Sequence, residues 1–214
     1  MMNKELYARL GVPRARASLI DPVISDVGHI ECLTSYLMRL QAHHGMGLKN
    51  VISEIQAKWG LEYRSTISHL LCTTAQLPIS LNGSSERTAA VCAALRQLKP
   101  AVDFRTMTLL QPPSSTGTRY LTPLLKAAVH WCPTCIAEAH SQSSVAYFPL
   151  QWLLKGINQC SAHRRPLVCY CSHCGHHSDR FTQELVSGYC RFCKGSLGDE
   201  REGVQQGQFE LQLD

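Results

Sequence analysis

The 214-residue sequence predicts an α-rich α+β protein, helical in its first part and built around clustered cysteines in its second. Three observations lead there. Apolar residues in the first half recur at three- and four-residue spacing, the period of one helix face. Eight of the 11 cysteines fall between residues 132 and 193, six of them in pairs with two residues between the members. The net charge of +5 is uneven: residues 1–131 hold 14 Lys/Arg against 8 Asp/Glu, whereas residues 132–214 hold 7 against 8. A basic front half suits a polyanion, although a solvated surface explains the same charge. At 44% apolar and 17% charged, the chain can bury a core, unlike a disordered tail. No apolar run approaches the ~18–20 residues that span a bilayer. The first twenty residues carry Lys4, Glu5, Arg9, Arg14 and Arg16, so no signal-peptide core is expected. The expected setting is the cytoplasm, with no membrane partner, where glutathione keeps thiols reduced. An odd cysteine count also forbids complete internal pairing, which makes metal a better explanation than disulfides.

Along the chain, residues 1–28 read as an irregular arm broken by Pro13 and Pro22. Ile30, Leu33, Tyr36, Leu37 and Leu40 mark an amphipathic helix from Ile30 to His44, ended by Gly45 and Gly47. Leu48, Val51, Ile52, Ile55 and Trp59 repeat the spacing in a second helix. Helix, glycine turn, helix is the helix-turn-helix outline. Its second helix would present Lys49, Asn50, Ser53, Gln56 and Lys58, donors and acceptors suited to phosphates and base edges. The same surface serves equally for docking a protein. Thr66–Leu71 suggests a further helical turn. Asn82–Ser85 forms a loop and cap, after which Ala89, Val91, Cys92, Leu95 and Leu98 make a helical stripe up to Pro100. Phe104, Met107, Leu109 and Leu110 close a helical unit spanning 29–110. The Pro-, Ser- and Gly-rich stretch that begins at Gln111 reads as a linker over 111–127. A metal-binding unit follows over 128–198, then an acidic tail over 199–214.

The ligand spacing is the most specific feature. Cys132-x2-Cys135 is followed after 24 residues by Cys160-x2-His163, and Cys171-x2-Cys174 is followed after 15 by Cys190-x2-Cys193. Two ligands at that spacing reach one ion from a single turn, and two such turns complete a tetrahedron. Zinc prefers four S and N ligands in a closed site. Sequential pairing is preferred over a cross-brace because Leu167–Tyr170 separates the sets as a short strand would. The expectation is a tandem zinc-finger, zinc-ribbon-like unit holding two structural Zn2+, replacing a core that so short a segment hardly builds alone. Cys169 is an alternative to Cys171, though only Cys171 has the x2 spacing to Cys174. His130, His140, His173, His176 and His177 read as surface groups, and Cys32, Cys72 and Cys92 as buried apolar thiols. A catalytic zinc keeps an open position, and both sets fill all four. No phosphate loop or carboxylate cluster appears, so neither enzymatic activity nor a small-molecule substrate is expected.

Together these residues resemble the TniQ family of transposon target-selection proteins, which includes the TnsD proteins. Glu31-Cys32-Leu33-Thr34-Ser35-Tyr36-Leu37-Met38-Arg39-Leu40 is similar to the family's opening Glu-x-Leu-x-Ser-φ-Leu-x-Arg-Leu helix, with Cys32 and Thr34 as departures. Met107-Thr108-Leu109 resembles the motif closing its helical part. Trp131-Cys132-Pro133-x-Cys135 with Tyr147, Phe148, Gln151 and Trp152 resembles its first knuckle and aromatic stretch. Cys160-x-x-His163 with Leu167, then Cys171-x-x-Cys174, resembles its second half. The resemblance implies a non-enzymatic adaptor between a target-recognition device and an AAA+ regulator, TnsC, which recruits the transposase. TnsD-like members carry long C-terminal DNA-reading extensions, so the resemblance leaves two readings: a short member of the kind that serves CRISPR-associated transposons, in contact with guide RNA, target DNA or an effector protein, or a piece of a longer TnsD-like chain. Tyr147, Phe148, Trp152, Arg164 and Arg165 are then candidate contacts on the metal unit, with Trp152 better suited to the core. The rival reading without the resemblance is a stand-alone zinc-ribbon and helix-turn-helix transcription regulator. A zinc enzyme is a third.

Overall fold

The computed structural model describes residues 19–24, 29–45, 47, 50, 76–77, 79–110, 124–177, 181–182 and 187–199. Helix α1 runs Leu33–His44, strand β1 is Gln76–Leu77, helix α2 is Glu86–Leu98, helix α3 is Pro133–Ser141 and strand β2 is Phe181–Thr182. Among the described residues no helix is long and apolar enough to cross a membrane. Apart from Asn50, the second helix of the helix-turn-helix lies outside the described residues, as do Thr66–Leu71, Cys72, most of the arm and the linker, and all but the first residue of the acidic tail.

Helix α1 begins at Leu33, three residues later than the apolar spacing predicts. Ile30 and Glu31 are extended and bridge Ile24 and Pro149, and the Cys32 N–H is drawn to Phe148 O at 2.9 Å. Long-range pairing thus overrides the local helical signal. Cys32 offers no side-chain cap, and Asn82 caps the helix from another segment instead. Asn82 Oδ1 accepts from Thr34 N at 3.0 Å while Asn82 Nδ2 donates to Thr34 Oγ1 at 2.9 Å. Gly45, at φ 62°, ends the helix in the left-handed region.

Residues 31, 35 and 39, spaced four apart, form a buried polar column. Glu31, fully buried, accepts from Val23 N at 3.1 Å, from Ser35 Oγ at 2.8 Å and from the Arg39 guanidinium. Ser35 Oγ in turn accepts from Phe148 N at 3.0 Å. These partners oppose the desolvation of the carboxylate, but burial outweighs them and holds its pKa above the ordinary value.

Helix α2 is capped by Ser85, whose Oγ accepts from Thr88 N at 3.2 Å. It buries Thr88, Val91, Cys92, Ala94, Leu95 and Leu98. Ala89 is exposed and so drops out of the apolar stripe, whose direction is set by Val91 and Leu95. The 3-10 turn Phe104–Met107 packs below, with Phe104 edge-on to Tyr36 at 5.3 Å, and Leu109 N donates to Asn82 O at 2.8 Å.

A single hydrophobic cluster runs from Leu33 in α1 to Leu197 beyond the last cysteine. Trp131 and Trp152 are its largest members, and Trp131 Nε1 donates to Leu197 O at 3.1 Å. β1 pairs antiparallel with β2, Gln76 opposite Thr182 and Leu77 opposite Phe181. The helical and cysteine-rich parts are therefore joined by strand pairing and by the Cys32–Phe148 contacts as well as by the chain.

Candidate metal centres

Three ligand-bearing turns share one backbone design. In each, the first ligand accepts from the N–H four residues on, and its own N–H donates to the carbonyl five residues on. The pairs are Arg164 N to Cys160 O and Cys160 N to Arg165 O, both 2.8 Å; Gly175 N to Cys171 O at 2.8 Å and Cys171 N to His176 O at 3.0 Å; Lys194 N to Cys190 O at 3.0 Å and Cys190 N to Gly195 O at 2.8 Å. The residue after the second ligand is left-handed every time: Arg164 at φ 53°, Gly175 at 72°, Lys194 at 61°. Antiparallel bridges Gln159–Pro166, Tyr170–His177 and Tyr189–Ser196 close the three hairpins.

The fourth turn is built differently. Cys132 is the N-cap of α3 and Pro133 fills the first turn, where its missing N–H is no loss. Cys135 follows on that first turn. The positive end of the helix dipole faces these thiols, a setting that favours thiolate.

The turns bring Cys132, Cys135, Cys160 and His163 into one group, and Cys171, Cys174, Cys190 and Cys193 into another, the ligand atoms of each group all within 4.8 Å of one another. In the first, Sγ of Cys135 lies 3.5 Å from Sγ of Cys160, and His163 Nδ1 lies 3.6, 3.2 and 3.7 Å from the sulfurs of Cys132, Cys135 and Cys160. In the second, Cys171–Cys193 and Cys174–Cys190 sulfur pairs are both 3.7 Å apart. A tetrahedron with metal–sulfur bonds of ~2.3 Å and metal–nitrogen bonds of ~2.0–2.1 Å has S–S edges of about 3.8 Å and S–N edges of about 3.6 Å. The donor sets and their separations fit a four-coordinate thiophilic ion such as zinc. Each group could hold one metal ion.

Protonation within the first group is shared. Donation from the Cys135 thiol pulls Cys132 down to about 5, and the same bond holds Cys135 up in its protonated form. Burial opposes a charge on His163, but hydrogen bonds to Glu138 and Cys132 outweigh it and raise its pKa. In the second group burial pushes Cys171 up to about 12. Thiolate is the ligand form, so loading this group releases protons.

Two supporting carboxylates were not read from the sequence. Glu138 Oε1 lies 3.0 Å from His163 Nε2, turning Nδ1 toward the sulfurs. Its position three residues after Cys135, on the same face of a helix, is the signal that finds it. Asp199 Oδ2 lies 2.9 Å from His173 Nε2, and Asp199 O accepts from Ser172 Oγ at 2.5 Å. No local pattern announces that pair.

Of the other candidates, Cys169 stands outside the second group, 3.5 Å from His177 Nδ1. His130 contacts Ala128 O at 2.9 Å, and His140 contacts Ser196 Oγ at 3.1 Å and stacks on Tyr189. Cys32 and Cys92 are buried. Arg164 and Arg165 are exposed, and Arg165 Nη1 donates to Thr134 Oγ1 at 3.2 Å. Phe148 and Trp152 are buried against each other, which removes them as contacts. Phe148 is fixed inward by its backbone bonds to Cys32 and Ser35. Asn50 is helical and exposed, whereas Lys49, Ser53, Gln56 and Lys58 lie outside the described residues.

A family model described as TniQ matches residues 22–167. The chain belongs to the TniQ family. Membership implies a transposition-associated role in target selection, with protein and DNA partners. No curated protein matches the chain. The TniQ match contains the Glu31 column, Asn82 and the whole first centre, and it ends at Leu167, before the first ligand of the second.

Proposed function

We propose that this TniQ-family chain is a non-enzymatic adaptor for transposon target-site selection, with one structural Zn2+ in each centre. It links a target-recognition complex, an RNA-guided CRISPR effector or target DNA itself, to a TnsC-like AAA+ regulator and so to the transposase. The carrying observation is the extent of the family match, which takes in the helical part and the first centre as one unit. Four protein ligands per ion leave no position for a reacting water, which supports a structural role for the metal. Cys132, Cys135, Cys160 and His163 hold one ion, and Cys171, Cys174, Cys190 and Cys193 the other. Bound there, zinc supplies cross-links between turns distant in the chain.

The test is co-sedimentation of the zinc-loaded chain with ATP-bound filaments of a TnsC-like AAA+ regulator from the same source, followed by assembly with a guide or target complex. Binding to both supports the adaptor. If neither the regulator in any nucleotide state nor the recognition complex binds, the proposal fails. Tight sequence-specific duplex binding by the chain alone, without a regulator, would favour the transcription-regulator reading instead.

A further inference from the structure

The eight ligand residues are not equally open to solvent. Cys132 and Cys160 of the first centre are buried, as are Cys171 and Cys190 of the second, whereas Cys193 is the one exposed member of the eight. Its sulfur lies close to the surface, while protein packs more densely around those of Cys132 and Cys135. The donor sets differ as well. His163 supplies nitrogen to the first centre, and imidazole stands outside the thiol oxidation ladder. All four donors of the second centre are sulfur.

Sulfur proximity alone does not separate the two centres. Cys135 and Cys160 are 3.5 Å apart in the first, and Cys171 and Cys193 are 3.7 Å apart in the second. Access does separate them. In the first pair Cys160 is buried and Cys135 is half-buried on the first turn of α3. In the second pair the exposed Cys193 meets solvent directly, and the buried Cys171 from the opposite hairpin stands against its sulfur. Reversible cysteine oxidation favours a thiolate that solvent reaches, next to a second cysteine that resolves it. Coordination keeps a ligand cysteine in its thiolate form.

We infer that the second centre is a peroxide-responsive switch, in which Cys193 and Cys171 close to a disulfide and release one ion while the first centre keeps its own. The Cys193 thiolate attacks one oxygen of hydrogen peroxide; the O–O bond breaks, hydroxide leaves and a sulfenic acid remains. The Cys171 thiolate then attacks the Cys193 sulfur; the S–O bond breaks and a second hydroxide leaves. Each sulfur gives up one electron, peroxide takes both, and two of the four donors are consumed, which releases the ion. The new bond joins the two hairpins that the ion had joined, so a thiol reductant and fresh zinc restore the starting state. The first centre is complete at His163 and the TniQ match at Leu167, so the switch lies beyond the matched part and operates whether or not the adaptor reading holds.

The test takes the full chain loaded with zinc in both centres, confirmed by elemental analysis, frees it of reductant and adds hydrogen peroxide. Released zinc is followed with a chromogenic chelator against an untreated sample. Free thiols and disulfides are mapped by alkylation and mass spectrometry. The expected result is loss of one ion of the two, a first bridge between Cys171 and Cys193, and recovery of the second ion after a thiol reductant and zinc are added. Cys193→His keeps a fourth donor, as His163 does in the first centre, and takes away the accessible sulfur. It is expected to hold both ions through the same treatment. Should Cys193→His fail to load, the disulfide map of the parent decides alone. Retention of both ions by the parent, simultaneous loss of both, or earlier loss from the first centre overturns the inference. So does a first bridge between any other pair, or release from Cys193→His as fast as from the parent.

Discussion

Arg164 should be replaceable by glycine with a gain in stability, although arginine was a candidate contact residue there. Its φ of 53° closes the Cys160–His163 turn, and a left-handed residue with a Cβ costs ~1–2 kcal/mol. Glycine removes that strain but gives up more backbone freedom on folding, ~0.5–1 kcal/mol. The net expectation for Arg164→Gly is stabilisation by about 0.5–1 kcal/mol. Arg164→Ala separates the causes, because it removes the exposed side chain and keeps the strain. The turn closes around the metal, so the gain should appear as roughly two- to fivefold tighter zinc retention against a chromogenic chelator, and as a rise of about 1–4 °C in melting temperature. The converse change has a control built into the fold. Gly175 occupies the equivalent position at φ 72°, and a Cβ there meets nothing within 4 Å. Gly175→Ala should therefore lose about 1 kcal/mol through conformation and not through collision. If Arg164→Gly is no more stable than Arg164→Ala, the shared turn design is not what holds these ligands.

Three further outcomes are expected. Asn82→Ala orphans the buried Thr34 N–H and leaves the Thr34 hydroxyl only the Cys32 thiol at 3.4 Å, and should lower unfolding free energy by about 1–3 kcal/mol, read as a shifted urea midpoint at unchanged slope. Cys174→Ser should reduce bound zinc from two ions per chain to one by elemental analysis, because the groups share no ligand; complete loss of metal would show that the centres depend on each other. Asp103→Asn keeps the oxygen that accepts from Arg105 N at 3.2 Å but puts an NH2 donor where Oδ2 accepts from Arg105 Nη2, so it removes the charge and that hydrogen bond. Hydrogen bonding from the Arg105 guanidinium holds the Asp103 carboxyl below its ordinary value. Its contribution is therefore present above the unfolded value of ~3.9 and lost as pH falls through the folded one. The parent should exceed the variant at pH 7 by less than ~1 kcal/mol, as for an exposed pair, and the gap should close on acidification in paired denaturation curves.

Local chemistry made part of this molecule readable from its residues. Ser85 three residues before Thr88 announces the start of α2, and two ligands separated by two residues announce that both reach one ion from a single turn of chain. What escaped was set by residues far apart in the chain. Ile30 continues a helical spacing yet is extended, since Phe148 and Pro149 claim the backbone beside it. Phe148 looks like one more aromatic near a ligand until its N–H is found on Ser35. The left-handed Arg164 carries no glycine to advertise it. Cys132-x2-Cys135 has the spacing of the other turns and is instead a helix start, for which Pro133 was the available sign. The pairing of Gln76–Leu77 with Phe181–Thr182 has no local signature, because short strands are specified by what they meet.

The bond from Phe148 N to Ser35 Oγ spans 113 residues, and this sets a timetable for synthesis. At ~5–20 residues per second, α1 leaves the ribosome about 6–23 s before the residue that donates to Ser35 Oγ. Through that interval the buried Ser35 hydroxyl lacks its donor, and the shared cluster lacks Phe148 and Trp152. Assembly of the one hydrophobic cluster therefore waits on translation of the cysteine-rich part.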